Sequence, residues 1–148
     1  MEPIALRSCR PDDAAFLFRL HRVALGEYVA ATWGWDDDDQ RRRFEEAFNP
    51  EVQQIITVGG VDAGVLRVAE RKDFLEVGLL ELLPEFQRQG VGTKLMNQVL
   101  EGARARGVPV RLQVLRTNAG ARRLYERLGF VVVGETATHL QMTKIPEA

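Results

Sequence analysis

Hydrophobic and polar positions alternate along this chain with two periods, and each change of period marks an element. Seven short apolar or β-branched runs read as strands: Ile4 to Cys9, Gln53 to Val58, Ala63 to Arg71, Phe74 to Leu83, Val108 to Leu115, Phe130 to Glu135 and Thr138 to Lys144. Gly59-Gly60-Val61-Asp62 supplies a hairpin turn, and Lys72-Asp73 a second one. Phe74 to Leu83 is apolar on both faces, as expected of a central strand covered on each side.

Four segments follow the helical period instead. Pro11-Asp12-Asp13 is a helix start, because free amides there welcome Asp side chains and a proline loses nothing by lacking one. This helix is predicted from Asp12 to about Tyr28, with Phe16, Leu17, Leu20, Val23 and Ala24 on one face. In "TWGWDDDDQRRRF" the acids precede the bases, the order a helix dipole favours, so Asp36 to Phe48 is a second helix with Phe44 and Phe48 as its apolar edge. Val91, Leu95, Met96, Val99, Leu100 and Ala103 line a third from Gly90 to Arg106, which Gly107 ends. Asn118 to Leu128 is the fourth, and Gly129 stops it.

The resulting order, β-α-α-β-β-β-α-β-α-β-β, mixes hairpins with one β-α-β crossover from Leu75 to Leu115. It predicts an α/β layer sandwich with a mixed, mostly antiparallel central sheet flanked by helices. No repeat and no linker rich in Pro, Gly or Ser divides residues 1–148, so a single domain is expected.

Composition narrows the function classes. Of 148 residues, 45% are hydrophobic and 28% charged, an ordinary globular balance, and the formal net charge of −1 gives no global pull toward nucleic acid or an anionic membrane. The lone Cys9 excludes an intramolecular disulfide and reads as a small buried apolar residue in an early strand. Charges at Arg7, Arg10, Asp12, Asp13 and Arg19 interrupt the start and no run of about eighteen apolar residues occurs, so neither a secretory signal nor a membrane span is expected, and the cytoplasm is the expected compartment.

Candidate chemistry begins at "PEFQRQGVGTKL", Pro84 to Leu95, where an apolar strand meets two glycines and a helix. A Walker A loop fails, because Thr93 precedes Lys94. A Rossmann fingerprint fails too, because Leu95 stands at the third glycine. Alone, Gly90-Val91-Gly92 is no more than a helix-opening turn or an anion cradle.

The surrounding spacing adds to it. Gln87-Arg88-Gln89-Gly90-Val91-Gly92 follows Leu82-Leu83-Pro84, and later comes Asn118-Ala119-Gly120 through Leu124-Tyr125-Glu126 to Gly129-Phe130. The pair resembles the two signatures of the GNAT superfamily of acyl-CoA-dependent N-acetyltransferases. The resemblance covers element order from about Gln53 onward, with its motifs between Leu80 and Phe130.

It implies acetyl-CoA as the donor and no metal. Its pyrophosphate would lie on the turn of Gln87, Arg88, Gln89, Gly90, Val91, Gly92 and Thr93, and its pantetheine arm along Leu82 and Leu83. Tyr125 is then the candidate acid for the departing sulfur, or else a packing residue beside Leu128 and Phe130. Asn118 contacts the cofactor, caps its helix, or does both.

The base stays open between Glu81, an ionisable group in an apolar strand, Glu76 earlier on that strand, His139 on the last strand, and no dedicated base. The acceptor side is expected around the first two helices. Tyr28, Trp33 and Trp35 either wall a substrate pocket or belong to the core, and His139 is a further candidate contact. Asp36 to Asp39 either attract a cationic amine or cap a solvated helix matched by Arg41-Arg42-Arg43.

The expected function is acetylation of a primary amine, in a small or amino-acid-like molecule, by direct attack in a ternary complex. A non-catalytic acyl-CoA sensor, acetylation of a protein N-terminus, and a protein-interaction domain are the alternatives. A homodimer would suit the resemblance, since the late strands and helices of this fold often pair between copies.

Overall fold

The computed structural model describes residues 2–146. Its seven strands are β1 (Ile4–Ser8), β2 (Gln54–Val58), β3 (Val61–Glu70), β4 (Leu75–Leu82), β5 (Val110–Leu115), β6 (Val131–Glu135) and β7 (His139–Lys144). Its α-helices are α1 (Ala14–Trp33), α2 (Asp37–Ala47), α3 (Val91–Arg106) and α4 (Ala119–Arg127). The strands form one sheet in the order β1-β2-β3-β4-β5-β7-β6. β4 pairs with β5 in parallel, Leu75 to Val77 against Val110 to Leu112, where the crossover was expected. The mixed, mostly antiparallel sheet is therefore observed, and so is the element order.

The chain divides into two compact units. One takes the described residues up to Arg67 with Leu79–Gln89, and the other takes Val68–Gly78 with the described residues from Gly90 on. In the first unit α1 runs past the expected Tyr28 to Trp33, because Gly26 leaves the helix intact and the positive φ of Gly34, 82°, ends it. Leu17, Leu20, Ile55 and Val65 form its core, with Phe44, Phe48 and Leu79 packed against them. Val23, assigned to the apolar face of α1, is instead exposed. The stripe that faces the core turns toward Leu17 and Leu20.

Arg7 of β1 clasps Asp13 at 2.8 Å and Asp62 of β3 at 2.9 Å. That hydrogen-bonded guanidinium holds the Asp13 carboxyl below its ordinary range against the opposing effect of burial. Cys9 lies just beyond β1 and is half-buried, rather than inside the strand.

In the second unit β5 alternates cleanly, Val110, Leu112 and Val114 buried and Arg111 and Gln113 exposed. Antiparallel β7 sets Met142 opposite Leu112, and β6 adds beyond it as the end of the sheet order. Gly107, with φ 69°, terminates α3, its amide bonding back to the last turn. No helix among the described residues is long and apolar enough to cross a membrane.

Candidate active site

Three stretches carry the chemistry, and each is built by local rules. The first is the turn from β4 into α3. Leu83 donates its amide to Ala63 of β3 at 2.8 Å, so in the strand's alternation the backbone of Leu82 faces the other way. The Gln87 side chain braces the turn by donating to the Leu82 carbonyl at 2.8 Å, and Gln89 donates to the Glu85 carbonyl at 2.6 Å.

Arg88 then adopts φ 62°, a left-handed conformation that a non-glycine residue takes at a cost. Gly90 takes φ 82° as the N-cap of α3, and a Cβ there would point into open space. The first backbone bond of α3 runs from Lys94 to Gly90 at 3.0 Å. The amides of Val91, Gly92 and Thr93 thus stand at the positive end of a 16-residue helix, where helix geometry gives them no partner of their own. Such a terminus accepts an anion.

The second is a pocket of about 240 Å³ in the first unit. Its apolar walls are Leu17, Phe44, Phe48, Val65 and Leu79, and Gln40, Arg43, Gln53 and Arg67 also line it. Glu81 borders it with a side chain only 2% exposed, and Nδ1 of His21 lies 2.9 Å from its Oε2. A buried carboxylate needs such a partner. Burial alone would lower the pKa of His21, yet the hydrogen bond and charge of Glu81, aided by the Gln40 side chain, raise it above the ordinary value.

Gly64 of β3 makes this arrangement close-fitting. A Cβ there would collide with the backbone carbonyl of Glu81 and press on the Leu82 side chain at 2.9 Å.

The third is α4 in the second unit. Asn118 caps it, its Oδ1 accepting from the Ala121 amide at 3.1 Å. Tyr125 is buried and meets Phe130 edge-to-face at 5.7 Å. Burial pushes its hydroxyl up to about 12, so the group keeps its proton throughout the working range. The same unit holds a pocket of about 760 Å³ bordered by Glu76 and His139. There Glu76 pairs with Arg71 at 3.2 Å, and His139 Nδ1 lies 2.8 Å from the Thr138 hydroxyl.

The expected acceptor residues separate. Trp35 lies beside His21, ring centroids 6.0 Å apart, and its Nε1 donates to Asp37 at 3.2 Å. Trp33 is exposed at the end of α1, and Tyr28 is half-buried; neither lines the 240 Å³ pocket. Asp36 caps α2 by accepting from the Asp39 amide, while Asp39 pairs with Arg42 and Arg43 and Asp37 with Arg22 and Arg41. The acids are thus matched by bases of the same helix pair.

His21 is the residue that reading the sequence missed. Its signal was available: it stands four residues after Leu17, an ionisable group inside the stripe that α1 buries.

One parallel crossover within a mostly antiparallel sheet flanked by helices defines the class as an α/β domain. The family model of the acetyltransferase (GNAT) family matches residues 15–130, and the chain belongs to that family. An uncharacterized N-acetyltransferase of Archaeoglobus fulgidus is 45% identical over 65 residues, which is 43% of this chain and 44% of that protein. The matched segment therefore spans less than half of that relative.

Among solved structures, the PaiA N-acetyltransferase of Thermoplasma acidophilum, in complex with coenzyme A, superposes with a TM-score of 0.79 at 18% identity, over 97% of this chain and 99% of that one. Arabidopsis thaliana Naa50, in complex with the bisubstrate analogue CoA-Ac-MVNAL, gives 0.65 at 17% identity, over 95% and 97%. At these identities the two structures attest the fold. The turn's left-handed Arg88 and Gly90 and the amides opening α3 fit the pyrophosphate that such a cofactor carries.

Proposed function

We propose that the chain transfers an acetyl group from acetyl-CoA to the primary amine of a small, amino-acid-like molecule, within a ternary complex. The observation that carries the acceptor class is the 240 Å³ pocket. It is smaller than the roughly 300–1,000 Å³ of drug-sized sites, so it suits a compact body. Its apolar walls would hold an aliphatic or aromatic side chain, and Arg43 and Arg67 on its border would suit an acceptor's carboxylate.

When bound, the cofactor supplies an activated thioester. The chain's own residues would hold it through the amides of Arg88 to Thr93, with the Arg88 guanidinium adding charge. The Leu82 backbone, turned away from β3, would pair with the pantetheine arm like an added strand. Tyr125, kept protonated by its burial, would give its proton to the leaving sulfur. Glu81 would govern the acceptor's proton. The family match crosses both compact units, which supports treating residues 1–148 as one catalytic domain.

A second reading, acetylation of a peptide N-terminus, is favoured by the peptide-bearing analogue bound to the structurally similar plant protein. Thiol release from acetyl-CoA, measured against free amino acids, other small amines and short peptides, separates the two. Saturable turnover of a free amino acid, with peptides poor, is expected. Turnover of peptides alone would transfer the protein to the second reading. Coenzyme A binding without turnover of any amine would make it a sensor, and no binding by calorimetry would remove both.

A further inference from the structure

Glu81 was the sequence's candidate base, yet its side chain is almost wholly covered, whereas that of His21 keeps 26% of its surface. A carboxylate only accepts hydrogen bonds, so the hydrogen between Oε2 and Nδ1 belongs to the imidazole, and the lone pair of that ring sits on Nε2. His21 and Glu81 both border the pocket whose walls would hold the acceptor. We propose that Nε2 of His21 takes the acceptor's proton, and that Glu81 positions the ring and stabilises the imidazolium that forms. The proposal rests on the acetyltransferase reading.

The proton count closes. An ammonium acceptor passes one proton to Nε2, and the freed lone pair makes the C–N bond as the acyl carbon–sulfur bond breaks. The nitrogen then loses a second proton as the departing sulfur gains one, so the two cancel. His21 returns its proton to water. Three charged groups line the pocket with this ring: Glu81 of β4, Arg43 of α2, held by Asp39 at 2.8 Å, and Arg67 of β3. Of these, Glu81 touches the ring and favours its charged form. Gln40 of α2 borders the same pocket, and its side chain likewise favours the charged ring.

The test is the pH profile of kcat/KM for the best-turned-over amine, in wild type, His21→Gln and Glu81→Gln, each checked for thermal stability and coenzyme A affinity. It is paired with NMR titration of the imidazole, simple because the chain has only two histidines. In wild type, activity should rise with pH along a limb that coincides with the His21 titration. His21→Gln should lose about 100-fold in kcat/KM and the limb with it. Glu81→Gln should keep the limb but move it, and the NMR titration, to lower pH.

If His21→Gln keeps the limb while Glu81→Gln removes it, Glu81 acts directly and this inference falls alone. If His21→Gln does not fold, a mismatch between the wild-type limb and the His21 titration overturns it just as firmly. Absence of turnover on every amine would bring down the acetyltransferase reading with it.

Discussion

The chain twice sets a glutamate and a histidine beside a pocket, and the two pairs differ in depth. In the first unit, Glu81 is 2% exposed and its carboxylate is held by His21. In the second, Glu76 is 43% exposed and is held by Arg71, while His139 leans on its neighbour Thr138. Residue types are the same; the surroundings are not. A half-exposed carboxylate beside arginine is an ordinary surface ion pair, screened by water and contributing little. A covered one must be compensated by its neighbours, and a partner with an accessible edge converts that compensation into usable basicity.

Exchanging charge for amide at the two acids gives the widest separation. Glu81→Gln should lower kcat/KM about 100-fold, and Glu76→Gln should leave it within about twofold, both measured by thiol release. Equal losses at the two positions would erase the distinction drawn here. Tyr125→Phe comes next, with about a tenfold or greater fall in rate and coenzyme A affinity retained. An unchanged rate would return Tyr125 to a packing role against Phe130.

The fit around Glu81 can be loosened without touching its side chain. Gly64→Ala introduces a methyl where the Glu81 carbonyl stands, and backbone cannot give way as a side-chain tip would. We expect a stability loss of about 1–3 kcal/mol by chemical denaturation, with β4 displaced at Glu81 and activity reduced severalfold. Gly120→Ala, where the nearest atoms lie 3.9 Å or more away on side chains, should be close to neutral. A harmless Gly64→Ala would mean that the two strands separate readily at this point.

This contrast also explains what the sequence made legible. Element order and the turn that opens α3 were readable because both rest on local rules: the periods of burial, the acids of α2 ahead of its arginines, Gly90 and Gly107 at positive φ. Element ends were recovered to within a few residues, α1 excepted, which runs on to Trp33 instead of ending near Tyr28. The pocket beside Glu81 was not readable in the same way. Glu81 and His21 lie sixty residues apart, and only tertiary pairing says that a buried acid has a histidine for company. Trp33 drew attention by its size and is exposed, whereas His21 sat unremarked in an apolar stripe.

The smallest expected effect is on stability, and its sign follows from the same pair. His21 has a raised pKa in the folded chain, because the hydrogen bond and charge of Glu81 outweigh the cost of burial. A group shifted upward adds stability that is fully present below its unfolded value, about 6.5, and that fades as pH rises through the folded one. The gap in thermal midpoint between wild type and His21→Gln should therefore be larger at pH 6 than at pH 9. A His21 gap that grew with pH would mean that burial prevails over Glu81 and the ring is neutral at rest. The carboxylate would then be holding a tautomer in place without raising the basicity of Nε2.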